Sequence, residues 1–347
     1  MSAMIQKKKA WLILEDGTRY EGYQFGADAG KDDCPTGEIV FSTTMTGFQE
    51  SLSDSNYREQ IVVMTFPTVG IVGANEQDEE SADSVNSPAA VICRDYCPEP
   101  SNFRSKETID DFMRKRGIVG LCGVDTRELA RKVRDKDVVK GYITSSLEGT
   151  GAEPSMVQIT IDVQNEYKVD NAKYNIAMIN FGAKKSFIEL MNEKGCSLTL
   201  DFNDCDGVVI TDGAANPNDF RIETIKRFAE LKKPILAVGL GHQMLAIEME
   251  CEAEKLPNGH RGSNQPVRDL RNGNIYLTRQ NHGYAVTKVP ENVGEVILEN
   301  VNDKSVEGIK YKSIPAISIQ FDPSKHGGPR NTAYLVDEFL EILGGAK

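Results

Sequence analysis

Apolar residues fall in strand-like runs through the first half of this chain and in an alternation of strand-like and helix-like runs through the second. "AWLILEDGTRYEGYQFG" holds two β-rich runs on either side of Asp16-Gly17, a dipeptide suited to a tight turn, and predicts a hairpin. "TGEIVFSTTM", "QIVVMTFP" and, after a proline, "PAAVICRDY" predict three more strands. Two short helices follow. In "ETIDDFMRKRG", Ile109, Phe112 and Met113 share one face and Gly117 is the stop. "DTRELARKV" opens on Asp125 as a cap, with Glu128 three residues on and able to reach back.

In the second half, "YNIAMINFG", "DGVVITDG", "PILAVGLG" and "PAISIQFDP" are short continuous apolar runs, as strands covered on both faces require. Helical spacing appears in "KKSFIELMNEKG", with Phe187, Leu190 and Met191 inward and Gly195 as the stop, in "FRIETIKRFAELKKP", and in the closing "TAYLVDEFLEIL". A helix beginning near Gly241 carries Leu240, Met244, Ile247 and Cys251 as an apolar stripe. The expected fold class is α/β. A mixed α/β domain occupies 1–150, a polar linker with "GTGAEPS" occupies 151–173, and a domain with a largely parallel sheet occupies 174–347. Ligand sites in such sheets gather at the carboxyl ends of the strands, so the loops after "VVIT", "ILAV" and "ISIQ" are expected to be neighbours.

Charge and cysteine content narrow the functional classes. A net charge of −12 gives no general electrostatic case for nucleic acid. The apolar run after Lys7-Lys8-Lys9 is too short for a signal-peptide core or a membrane span. The seven cysteines are odd in number, and no two are spaced as a zinc site usually requires; free thiols in a reducing cytosol are expected. No G-x-x-x-x-G-K-[ST] phosphate loop is present.

The three loops carry the candidate chemistry. "AVGLGHQ" has the spacing of a nucleophile elbow, with small residues Ala237 and Gly241 flanking Gly239, where the attacking side chain would stand. The helix beyond offers free N–H groups to an anion. "TDGAANPND" can lend a backbone N–H to a developing oxyanion. In "QFDPS" the positions of a general base and of its orienting carboxylate hold Asp322 and Ser324. An aspartate, with an ordinary pKa of about 3.9, is a poor base for a thiol, and Gly239 offers no thiol.

Together with "LEDGTRYEGYQFGA", "GEIVFSTTMTGFQESLSDSNY", "GIVGANEQDEES", "SNFR", "GIVGLCGVDTRELAR", "NFGAKKSFIELMNEKGC", "GLGHQMLAIEM" and "QNHGYAV", these loops resemble the small subunit of the carbamoyl-phosphate synthases, whose second half is a class I glutamine amidotransferase domain. The resemblance covers nearly the whole chain in order. It implies glutamine hydrolysis through a cysteine thioester and delivery of ammonia to a large subunit, in pyrimidine and arginine synthesis. ATP and metal would sit on that large subunit, and no cofactor or metal is expected on this chain.

Carried over position by position, the resemblance puts the nucleophile on Gly239, the histidine base on Asp322, the glutamate behind it on Ser324, the oxyanion-loop glycine on Ala215 and a neighbouring proline on Ala214. The implied glutamine pocket comprises Thr44, Gly213, Ala215, Leu240, Gln243, Asn281, Gly283 and Tyr284, with Thr44 replacing a serine and Tyr284 a phenylalanine. The expected function is a cytoplasmic partner of an ammonia-using large subunit, lacking glutaminase activity. A non-catalytic glutamine sensor is the second reading. Among other reactive side chains, Cys251 is expected on the helix, about 18 Å from Gly239, and in the core. His242 is expected to support the turn, His260 to lie on a hairpin-like excursion at the surface, and His282 to order its loop. His326 follows Asp322 by four residues.

Overall fold

Strand pairing separates the chain into two units, Met1–Glu79 with Ser84–Val157 and Glu80–Asp83 with Gln158–Lys347. The computed structural model describes residues 8–31, 34–81, 87–134, 139–147, 165–219, 223–230, 232–324 and 331–345. The expected linker at 151–173 lies outside the described residues as far as 164, and His326 lies outside them as well.

In the first unit the strands are β1 (Lys9–Leu14), β2 (Arg19–Gly26), β3 (Thr36–Ser42), β4 (Gln60–Met64), β5 (Thr68–Val69), β6 (Ala90–Cys93), β7 (Asp95–Tyr96), β8 (Val119–Cys122) and β9 (Lys140–Thr144). The helices are α1 (Phe48–Leu52), α2 (Ile109–Lys115) and α3 (Thr126–Arg134). The hairpin across Asp16-Gly17 forms, with Ile13 opposite Arg19. "PAAVICRDY" is divided between β6 and β7. Seven strands close into a barrel in the order β1-β2-β8-β6-β4-β3-β9, while β5 and β7 pair separately. Alternate residues of β4 serve two cores: Ile61 and Val63 pack with Leu12, Ile39 and Leu129, and Val62 and Met64 with Ile109, Phe112 and Met113. Helix α2 buries the expected face of Ile109, Phe112 and Met113. Asp125 Oδ1 caps α3 by accepting from the N–H groups of Arg127 and Glu128 at 3.1 and 3.0 Å.

The second unit is built on a nine-stranded sheet. Its strands are β10 (Tyr174–Phe181), β11 (Cys196–Thr199), β12 (Gly207–Gly213), β13 (Ile235–Val238), β14 (Glu252–Asp269), β15 (Ile275–Lys288), β16 (Gly294–Asn300), β17 (Val306–Tyr311) and β18 (Ala316–Ile319). Their order is β11-β10-β12-β13-β18-β17-β15-β14-β16. The first five are mutually parallel and the rest are joined antiparallel. Helices α4 (Lys185–Glu193), α5 (Glu223–Glu230), α6 (Leu240–Glu248) and α7 (Tyr334–Gly345) complete the unit. Leu240, Met244 and Leu245 of α6 pack with Val208 and Ile210 on one face of the sheet; Phe187 of α4 and Phe339 of α7 pack with Val209 and Leu236 on the other.

Two expectations are corrected here. Helix α6 ends at Glu248, and Glu250 adopts φ 66, so Cys251 lies past the helix rather than on it, although it is buried as expected. The excursion around His260 is the interior of the 18-residue strand β14, and His260 is 8% exposed. The hairpin-like character holds, since β14 pairs antiparallel with β15, but the surface placement of His260 does not.

Candidate functional site

Strands β12, β13 and β18 are consecutive in the sheet, so the three expected loops do leave it side by side. Gly239 sits at φ 56, ψ −114, a conformation that favours glycine, and its N–H donates to Ile319 O at 2.9 Å. At the flanking Gly241 a Cβ would overlap the Ile210 carbonyl, so the close strand-to-helix approach of a nucleophile elbow is present.

The space over the elbow is filled by Asp212. Its Oδ1 accepts from the N–H of Gly213 at 2.9 Å and from the N–H of Leu240 at 3.0 Å. These two backbone donors, one from the facing loop and one at the helix N-terminus, are the arrangement that would hold an oxyanion. A Cβ built on Gly239 would overlap the same carboxylate. One acidic side chain thus occupies both the donor pair and the volume of an attacking side chain.

Charges behind Asp212 are buried and interlinked. Lys184, at the N-terminus of α4, places Nζ 3.3 Å from Asp322 Oδ2 and 3.9 Å from Asp212 Oδ2, with its side chain 4% exposed. Burial alone would raise the Asp322 carboxyl, but Lys184, Arg279 and the hydrogen bond from Ser324 outweigh it and hold the group below the usual aspartate range. The Ser324 N–H donates to Asp322 Oδ1 at 2.8 Å, and the Ser324 hydroxyl meets that of Ser186 at 2.7 Å. Glu80 Oε2 accepts from the Ser186 N–H at 3.1 Å, and its Oε1 takes Arg279 Nη1 at 3.4 Å. The cavity lined by Lys184, Phe187, Asp212, Val238 and Asp322 measures about 10 Å³, roughly the room of one water.

The implied glutamine contacts are distributed differently. Leu240 and Gly213 lie at the elbow with their N–H groups engaged by Asp212. Ala215 packs against the apolar cluster containing Leu240 and Met244. Gln243 is buried, and its amide nitrogen donates to Tyr284 O at 2.7 Å and to Gln320 Oε1 at 3.0 Å, which uses both hydrogens. Asn281, Gly283 and Tyr284 belong to β15, where Asn281 pairs with Arg261 of β14 and Gly283 abuts the Arg261 guanidinium. Thr44 belongs to the first unit, buried just after β3, with its N–H on Ser42 Oγ at 3.3 Å. Sequence reasoning passed over Asp212, Lys184, Arg279 and Glu80. The only signals were local: an acid directly before the loop glycine in "TDG", and a lysine after the strand-ending glycine in "FGAKKS".

His242 lies beneath the turn, fully buried, with Nδ1 2.7 Å from Ser318 Oγ. Burial pushes its imidazole down to about 3. The unfolded chain therefore binds more protons here between about pH 6.5 and about pH 3, so this stability is fully present above that window and is lost as pH falls through it. His242→Gln is expected to flatten the stability profile between pH 7 and pH 4, removing a slope of up to about 1.4 kcal/mol per pH unit. Urea unfolding at stepped pH checks this, and an unchanged slope would refute it.

Two family models match the chain. "Carbamoyl-phosphate synthase small chain, CPSase domain" covers residues 12–143, and "Glutamine amidotransferase class-I" covers residues 136–342. A carbamoyl phosphate synthase small chain from Staphylococcus saprophyticus is 36% identical over 363 residues, spanning 98% of this chain and 97% of that protein. One from Clostridium perfringens is 38% identical over 353 residues, spanning 96% and 99%. Among solved structures, a glutamine amidotransferase from Thermotoga maritima is 15% identical with a TM-score of 0.37, covering 50% of this chain and 82% of that one, too distant to bear on function.

Proposed function

Because this chain belongs to the carbamoyl-phosphate synthase small-chain family, we propose that it partners a synthase large chain that draws on free ammonia, and that it supports or regulates that chain without hydrolysing glutamine. The observation that carries this reading is the Asp212 carboxylate seated on the Gly213 and Leu240 N–H groups above a Gly239 that has no side chain. An acyl-transfer site needs a nucleophile, a base able to take its proton and an unfilled donor pair for the oxyanion. Gly239 supplies no nucleophile. Asp322, held ionised by Lys184, has little affinity for a proton. The donor pair is already engaged by Asp212 Oδ1.

Among the described residues no helix is long and apolar enough to cross a membrane. All seven cysteines are free thiols, which fits a reducing cytoplasm. ATP and its metal belong to the large chain in this reading.

The test is co-expression with a large chain, purification of the complex, and assay with each nitrogen source. Carbamoyl phosphate should form with ammonium and not with glutamine. Synthesis from glutamine alone at a rate matching ammonium would overturn the proposal. The sensor reading is disfavoured because the donors of Gln243, Gly213 and Leu240 are spent within the protein. Calorimetry with millimolar glutamine should show no binding heat, and saturable binding would revive that reading.

A further inference from the structure

His260 of β14 and His282 of β15 stand opposite each other in the strand register, and Glu307 of β17 lies against them. The potential ligand atoms of the three side chains all lie within 4.8 Å of one another, and all three are buried. His260 Nδ1 is 3.7 Å from Glu307 Oε1, and the two imidazoles meet edge to face with centroids 4.9 Å apart.

Hydrogen bonding orients the side chains of this cluster. His260 Nε2 faces Asp303 Oδ2 at 3.0 Å, which leaves Nδ1 as the ring nitrogen turned toward Glu307. His282 Nδ1 faces the Tyr284 carbonyl at 2.6 Å, so its proton belongs there and Nε2 presents a lone pair. The Gln280 amide nitrogen donates to Glu307 Oε2 at 2.8 Å and to Thr278 Oγ1 at 3.0 Å. That orientation sets Gln280 Oε1 against His282 Nε2 at 2.9 Å, acceptor against acceptor. On Glu307 Oε1 the Asn300 amide donates at 3.3 Å and the Ser305 hydroxyl at 3.4 Å; the same amide is 3.5 Å from His260 Nδ1.

We propose that His260 Nδ1, His282 Nε2 and the Glu307 carboxylate, with Gln280 Oε1 as a fourth donor, form a binding site for a divalent metal of the zinc class. Two imidazole nitrogens and a carboxylate are a donor set zinc accepts, at about 2.0–2.2 Å each. The outward N–H groups already make the bonds that orient metal-bound histidines, one to a carboxylate and one to a backbone carbonyl. The present spread of the ligand atoms is wider than around a bound ion, so loading draws β14, β15 and β17 together and stabilises the antiparallel half of the sheet. The cysteine spacing gave no hint of this site, because its ligands come from three strands.

The test uses the full chain, stripped with chelator and titrated with Zn²⁺, with Co²⁺ as a spectroscopic probe. Stoichiometric uptake, a raised Tm on loading, and tetrahedral Co²⁺ absorption without a thiolate charge-transfer band are expected. Glu307→Gln should abolish uptake. Asp303→Asn alters a partly exposed orienting residue and is the variant expected to fold normally; it should weaken binding by about 10–100-fold. A Tm indifferent to metal, with no uptake, would mean a purely hydrogen-bonded cluster and overturn the proposal. Uptake unchanged in both variants, or with thiolate absorption, would place the ion on cysteines and overturn it equally.

Discussion

Gly239→Cys, assayed with a large chain and saturating glutamine, is expected to release glutamate no faster than the unaltered chain, and to unfold with about 2–4 kcal/mol less stability. Restoring the sulfur addresses one of three defects. The new Cβ would overlap Asp212, so the carboxylate must leave its two N–H partners or the backbone must shift. A side chain at φ 56, ψ −114 also strains the elbow where glycine does not. Asp322 remains an ion-paired carboxylate, and Ser324 offers no charge to orient a base. Loss of a nucleophile or base from a triad costs about 10⁶-fold in kcat, and the members act as a unit, so one repair returns almost nothing. Coupled glutamate detection and urea melts read the two parts separately. Sustained glutamate release by the single variant would show that the base and donor pair are functional after all. Adding Asp322→His and Ser324→Glu is still expected to leave the variant inactive while Asp212 keeps its seat.

Lys184→Met is expected to cost about 3–5 kcal/mol at neutral pH, more than any other single change to this cluster, because it leaves buried carboxylates uncompensated. Lys184 is nearly inaccessible to water and faces both Asp322 and Asp212. Were these pairs well solvated, the loss would be about 1 kcal/mol or less. The pH dependence separates the cases. In the unaltered chain the Asp322 carboxyl is depressed, so its contribution is present above about pH 3.9 and is lost as pH falls through the folded value. Without Lys184, burial weighs more heavily against the charged form and the carboxyl moves up from its depressed value, so protonation relieves part of the cost and the deficit shrinks toward pH 4. Adding Asp322→Asn to Lys184→Met should recover most of the loss. A deficit independent of pH, or unmoved by Asp322→Asn, would show that Lys184 matters through packing and not charge.

The elements were legible wherever burial imposes a period. Val62 and Val63 face opposite cores, so β4 had to be a continuous apolar run, and α2 showed Ile109, Phe112 and Met113 at helical spacing. Closure of the first unit into a barrel was not legible, because a strand's pattern records that both faces are covered and not which strand lies alongside. The stretch around His260 was hairpin-like as its sequence suggests, but its burial was not legible, because polar residues and glycine look exposed until neighbouring strands cover them. Cys251 was placed on a helix because the apolar spacing continued past Glu248, where the backbone turns at Glu250.

The amino-acid sequence by itself determined the family, the α/β grammar of the second half, and the absence of a nucleophile at Gly239 and of a histidine at 322, since these depend on residue identity in order along the chain. Only the tertiary structure decided that Asp212 fills the anion site of a helix beginning 28 residues later, that Glu80 joins Arg279 across 199 residues, and that two histidines and a glutamate from three strands converge. The physical reason is range. Periodicity and turn chemistry act over a few residues, whereas a buried charge is placed by whichever distant partner the strand order brings within a few ångströms, and that partner leaves no mark on its neighbours in the chain.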